Sequence, residues 1–199
     1  MRKSILIFGI ILCSISYELN AQNTSEGIFL SSGDFVKGKL SYVNNHNNEK
    51  YKIYLHTIFN TSKIVVSIGD SDYTFYKNAI FGYRDKNNIS YRFYKNDAYR
   101  IINPKEGILL YSTYTSVNAP KNVHTETRYF FSMNANAPIY KLTKENIKAV
   151  FINEVSFNEL LDVYFHSDSE LTTYDNTDKM YQLNRVYELS QQKKITADK

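Results

Sequence analysis

Arg84, Arg92 and Arg100, with Tyr94 among them, are the residues of this chain whose types best suit recognition chemistry. A planar guanidinium fork pairs with carboxylate or phosphate oxygens, and a tyrosine ring offers a flat contact for a sugar. Whether the four act together depends on strand register. They fall in the stretch from Ile80 to Ile102, which reads as a β-meander. A three-residue loop at Lys86, Asn87 and Asn88, with Asn88 in the left-handed region that Asn tolerates, sets Tyr83 opposite Tyr91 and Phe81 opposite Phe93. A second three-residue turn, Asn96 to Ala98, sets Phe93 opposite Ile101 and Tyr94 opposite Arg100. One face then carries Phe81, Tyr83, Ile89, Tyr91 and Phe93, a row of cross-strand pairs suited to burial. The other gathers Arg84, Ser90, Arg92, Tyr94 and Arg100 as the candidate ligand-binding surface. The plain alternative for that face is a solvated or helix-covered sheet surface.

The rest of the chain offers little catalytic chemistry. His46, His56, His124 and His166 lie in separate segments without a partner at metal-ligand spacing, and there is no HExxH, G-x-S-x-G or P-loop. Asp162, Asp168, Glu170, Asp175 and Asp178 form an acidic run, but it lacks the alternating ligands and central glycine of a calcium loop. Helix capping and solvated helix faces explain it. No metal site, cofactor or catalytic residue is therefore expected. Lys and Arg are scattered among acidic residues, and the net charge is only +4, which speaks against nucleic acid as a partner.

The elements that must position the arginines are mostly strands. Eighteen Tyr, twelve Phe, no Trp and only seven Gly indicate many half-buried aromatic strand positions, with turns made by Asn and Asp. Short strands are expected at Gly27 to Leu30, Lys39 to Val43, Tyr51 to Leu55, Lys63 to Ile68 and Tyr73 to Tyr76. After the meander they follow at Ile108 to Tyr114, Arg128 to Met133 and Ile139 to Leu142, with a long loop from Thr115 to Glu126. The expected fold is α+β: an antiparallel β-meander of about eight to nine strands over 22–142, as a curved sheet or partly open barrel, then two to four helices over 143–192. Those helices should pack on the sheet, and the polar tail 193–199 should not.

Within the helical part, Thr143 can cap a helix that shows Ile147, Val150 and Phe151 on one face, with Leu142 placed to staple against Ile147. Ser156 with Glu159 makes a capping box, and Phe157, Leu160, Leu161, Tyr164 and Phe165 follow helical apolar spacing. Ser167 with Glu170 repeats the box. The stripe Met180, Leu183 and Tyr187 is out of phase with Leu171 and Tyr174, so a break is expected near Asp175 to Thr177.

At the start of the chain, Arg2 and Lys3 precede an apolar run from Ile5 to Ile15 and a polar stretch ending at Ala21, the pattern of a secretory signal peptide over 1–21. The run is shorter than the roughly 20 apolar residues of a membrane span, so no transmembrane segment is expected after leader removal. Leu12 before Cys13 argues against lipidation. Cys13 is the only cysteine, so a chain cut after Ala21 has no thiol and no disulfide.

The words FGYRD at Phe81, YRFY at Tyr91, LLD at Leu160 and KMY at Lys179, with the leader ending Asn20-Ala21-Gln22, resemble an uncharacterised family of small exported Bacteroidota proteins. The resemblance implies export, to the periplasm or beyond the cell, and no activity. The expected function is that of a non-catalytic exported module that binds a partner protein, an envelope glycan or another anionic ligand. The alternative is an envelope hydrolase using paired carboxylates.

Overall fold

A computed structural model describes residues 25–45, 50–55, 61–118 and 123–197. The leader 1–21 with Cys13, together with His46 and His56, lies outside the described residues.

An open, antiparallel eight-stranded sheet runs in the order β11-β10-β9-β8-β7-β6-β1-β2. Its strands are β1 (Ser25–Phe29), β2 (Ser41–Asn45), β6 (Gly82–Arg84), β7 (Ser90–Tyr94), β8 (Asp97–Ile101), β9 (Leu109–Asn118), β10 (Val123–Ser132) and β11 (Tyr140–Lys141). Between β2 and β6, the strands β3 (Lys52–Tyr54), β4 (Lys63–Ile68) and β5 (Ser71–Tyr76) form a separate three-stranded sheet. The stretch between β1 and β2, rich in turn residues, holds a short helix α1 (Ser32–Val36). Ser31 and Asp34 close a reciprocal capping box on it, and Phe35 stacks on Phe81 at 4.7 Å.

Cross-strand partners place side chains on two faces. Ile28, Tyr83, Tyr91, Arg100, Ser112 and Tyr129 are successive partners across β1, β6, β7, β8, β9 and β10, so they form one row on one face. At one end of that face the three-stranded sheet covers Ile28, Tyr83 and Phe93 with Ile64 and Val66. At the other end, Leu110 and Phe131 are covered by the helical segment. The opposite face buries Phe29, Phe81, Leu109 and Tyr111 under Phe35 and under Ala135 and Ile139 of the 133–139 segment.

The helical segment comprises α2 (Lys144–Val150), α3 (Val155–Tyr164), a 3-10 turn (Asp168–Thr172), a two-residue hairpin β12 (Tyr174–Asp175) and β13 (Met180–Tyr181), and α4 (Gln182–Ala197). Thr143 caps α2 by accepting from the Asn146 amide. α3 starts two residues earlier than its Ser156 box implies, with Glu154 at the cap and no side-chain cap bond. Phe157, Leu161, Phe165, Leu171, Leu183 and Val186 lose all exposure to solvent, each worth about 1.5–3 kcal/mol. The expected break falls on the β12–β13 hairpin. α4 is then clamped to β9 by Asn184, which accepts from Ile108 N at 2.8 Å and donates to Ile108 O at 3.0 Å. No helix among the described residues is long and apolar enough to cross a membrane.

Three further local features differ from the sequence expectation. The first hairpin closes as expected, with Asn88 at φ 62° and Tyr83 opposite Tyr91. The second does not. Its loop is two residues long, Lys95 and Asn96, at φ 49° and 68°, as a type I′ turn requires, so Tyr94 pairs with Asp97 and Tyr91 with Arg100. That turn matches the strand twist, and Lys accepts the left-handed region here although no glycine announces it. The three-residue difference in register moves Arg100 to the face of Tyr83 and Tyr91.

The second difference is at Gly82. Phe93 N still donates to Phe81 O at 2.8 Å, but the Phe81 ring lies on the opposite face, among Phe29 and Phe35. A Cβ at Gly82 would lie 1.9 Å from Tyr91 O, so only glycine permits the backbone approach that turns Phe81 over. The long loop expected from Thr115 to Glu126 is mostly strand: β9 and β10 pair from Leu109–Ser132 out to Asn118–Val123.

Candidate functional site

The four residues singled out from the sequence do not form one surface. Arg92 is buried. Its guanidinium donates to Tyr111 Oη at 3.0 Å, Ser132 Oγ at 3.3 Å and Ala137 O at 2.9 Å, and it lies 5.5, 5.7 and 6.0 Å from the ring centres of Phe81, Tyr94 and Tyr111. These are neutral acceptors and π faces, all within its own fold, and they make Arg92 a tie between β7, β9 and the 133–139 segment. Arg84 is half-buried on the same face, 5.3 Å from the Phe29 ring with Nε toward Ser90 Oγ at 3.5 Å, and burial lowers its pKa. Tyr94 is half-buried beside Arg92 and packs edge-on to Tyr99. Arg100 stands alone on the other face.

That other face has an uncovered strip between its two covering layers. The floor is the row Tyr91, Arg100, Ser112 and Tyr129, with Tyr83 at its covered end and Tyr114 and Thr127 in the neighbouring row. Two depressions meet at Arg100, Ser112 and Tyr114. One, of about 550 Å³, extends toward Tyr83, Tyr91, Asp97 and Lys77 at the end of β5. The other, of about 420 Å³, extends toward Thr127, Tyr129 and Tyr181 of β13. A third, of about 690 Å³, begins at Thr127 and Tyr129 and continues past β11 to the 3-10 turn at Asp168, Ser169 and Thr172. Through these shared lining residues the three run in series from β7 to the outer edge of β10, and together are termed the groove. Each strand supplies its part of the floor because side chains alternate along it: 112 with 114 on β9, 127 with 129 on β10.

Arg100 is the polar centre of the groove. Its Nη1 donates to Tyr114 Oη at 3.0 Å, while the buried Nε has no acceptor in the protein. Among the described residues no carboxylate lies within ion-pair distance of it. A buried donor left without an acceptor costs about 1–3 kcal/mol. Tyr83 and Tyr91 stack beside it at 4.7 Å and 6°. Burial raises the pKa of Tyr83 and of Tyr91; for Tyr91, Asp85 adds to the rise and Arg100 offsets part of it. Burial and Glu106 raise Tyr181. These phenols keep their protons at neutral pH and can both donate and accept.

Lys77, also buried, donates to Asn96 O at 3.1 Å, and its pKa is lowered by burial with a partial offset from Asp97. Asp97 is the one carboxylate lining the two depressions that meet at Arg100. No group of three or more His, Cys, Asp or Glu side chains placed to hold a metal ion occurs among the described residues.

Sequence reasoning found Arg100 and the Tyr83–Tyr91 pair but assigned them to opposite faces. It missed Ser112, Tyr114, Tyr129 and Tyr181. Ser112 and Tyr114 fall in the strand expected at Ile108 to Tyr114 and Tyr129 in that at Arg128 to Met133, but reading Thr115 to Glu126 as a loop hid the continuous pairing that sets these two strands side by side next to Arg100. Compared with family models, curated proteins and solved structures, the chain matches none of them.

Proposed function

We propose that this chain is an exported, non-catalytic binding module that holds an anionic ligand in the groove across β7 to β10, with Arg100 as its anion contact. The observation that carries this reading is the Arg100 guanidinium: a cation in a tyrosine-lined depression, with a buried Nε that no protein group satisfies. An oxyanion in the depression would balance this guanidinium, which no carboxylate among the described residues does, and charge-assisted bonds to it are about twice as strong as neutral ones. Tyr91, Tyr114 and Tyr129 add flat apolar contact around it. Hydrolysis by paired carboxylates has less support at Arg100, because the two depressions that meet there are lined by one carboxylate, Asp97, while Glu126 and Asp168 line the third. Export rests on the leader-like segment 1–21.

Calorimetric titration of the protein with acidic ligands tests the reading. Arg100→Gln removes the charge and keeps a polar side chain of similar reach. It should weaken binding at least about tenfold, as expected for a charge-assisted contact worth about 1.5–3 kcal/mol. Binding should also weaken as salt rises. Equal binding by wild type and Arg100→Gln would remove the groove from consideration.

A further inference from the structure

Resting on that reading, we infer that the ligand is an acidic oligosaccharide, a chain of at least three sugar units that lies across the strands with its acid group at Arg100. The first support is shape. The groove is three depressions in series, sharing Arg100, Ser112 and Tyr114 at one junction and Thr127 and Tyr129 at the next. A compact anion would fill one of them and leave the other two unused. From Tyr91 on β7 to Tyr129 on β10 the floor crosses three strand spacings, each about 4.8 Å. One pyranose unit of an extended chain advances by about that distance, so three units cover the floor.

The second support is the chemistry of the lining. Tyr91, Ser112, Tyr114, Thr127, Tyr129 and Tyr181 each present a hydroxyl that donates and accepts, matching a ligand whose own groups do both. Their rings offer flat faces to the C–H surfaces of sugars. An extended peptide would instead need a free strand edge for its backbone, and the floor from Tyr91 through Arg100 to Ser112 is the face of strands paired on both sides, the outer edge of β10 being left open only beyond Phe130. The cations are spread along the groove, Arg100 and Lys77 near one end and Arg128 and Lys141, with Glu126 and Asp168, at the other, so the ligand carries separated acid groups rather than the dense charge of a polyphosphate.

The test is calorimetry on the folded mature chain with oligomers of one, two, three and five units from galacturonate, alginate and sulfated galactan. The methyl-esterified galacturonate trimer and tri-glutamate serve as controls. At least one acidic series should bind with affinity rising at least about tenfold from monomer to trimer and levelling off beyond it. The esterified trimer should bind at least about tenfold more weakly than the free acid. Tyr129→Ala, an exposed position, should weaken the trimer by a larger factor than the monomer.

A monomer that binds as tightly as its trimer would overturn the oligosaccharide inference and leave the anion-binding reading standing. Tri-glutamate binding more tightly than every saccharide would do the same. No binding by any acidic series or by tri-glutamate would overturn both.

Discussion

Substituting Gly82 by alanine tests the strand geometry on which the groove depends. A Cβ at this position would meet Tyr91 O at 1.9 Å, Tyr91 C at 2.9 Å and the Arg92 Cα at 3.0 Å, all backbone atoms that cannot rotate away. Ordinary contact begins near 3.4 Å, so β6 and β7 must part by about 1.5 Å. Their ladder has only three pairs, Gly82–Arg92, Tyr83–Tyr91 and Arg84–Ser90. Overpacking of this kind costs about 1–3 kcal/mol, and a stretched ladder bond adds about 0.5–1.5 kcal/mol. The smaller entropy of the unfolded alanine chain returns about 0.4–1 kcal/mol, which leaves a net loss of about 0.5–4 kcal/mol, centred near 2. Gly107 is the control, since a Cβ there has only Asn184 Oδ1 at 4.0 Å. Urea unfolding followed by circular dichroism should show a lower midpoint for Gly82→Ala at unchanged slope, and Gly107→Ala within about 0.5 kcal/mol of wild type. A loss below about 0.5 kcal/mol at Gly82 would refute the close approach of β6 to β7, and with it the placement of Phe81 and Tyr83 on opposite faces.

Other substitutions follow from the same contacts. Arg92→Ala removes three hydrogen bonds and the contact with three rings, and should cost about 2–4 kcal/mol in urea unfolding while leaving ligand affinity in the surviving folded protein within about threefold of wild type. Leu161 is fully buried and Leu160 only partly, so Leu161→Ala should cost about 3–5 kcal/mol and Leu160→Ala clearly less, by the same measurement. Burial raises the Glu106 pKa, with hydrogen bonds from Asn103, Tyr181 and Asn184 offsetting part of the rise. Because the folded value lies above the unfolded one, the stabilisation is complete below the unfolded value, about 4.3, and is lost as pH rises through the folded one. Glu106→Gln should flatten the fall in urea midpoint over that window, and an unchanged slope would assign it to other groups.

The strands and helices were largely legible because their patterns are local. Lys63–Ile68 is a β-branched run bounded by turn residues, and Thr143 announces its helix by a side chain that reaches one turn ahead. What escaped were choices made by tertiary packing. Lys95 and Asn96 have no glycine between them, yet they close a two-residue turn that sets Phe93 and Ala98 against the small sheet and leaves Tyr99 to pack on Tyr111 and Phe130. Ser156 offers a capping hydroxyl, but α3 begins at Val155, and Asn158 N donates to Glu154 O instead.

For the candidate site, a single turn decided everything. The aromatic pair Tyr83–Tyr91 was readable from the first hairpin, whereas Arg100 could join it only once the loop length of the second was known. Arg92 reads as a surface residue by type, and nothing near it in sequence indicates that Tyr111, Ser132 and Ala137, from β9, β10 and the following segment, would enclose it.

The groove as the binding surface is tested most directly by chemical-shift mapping: ¹H–¹⁵N spectra of the labelled protein recorded through a titration with galacturonate trimer, and with the alginate and sulfated trimers if the first does not bind. The expected result is a saturable set of shifts centred on Tyr91, Arg100, Ser112, Tyr114 and Tyr129, absent in Arg100→Gln. Saturable shifts centred instead on Tyr94, Tyr99 and Phe130 of the opposite face, or spectra unmoved by all three trimers, would contradict it.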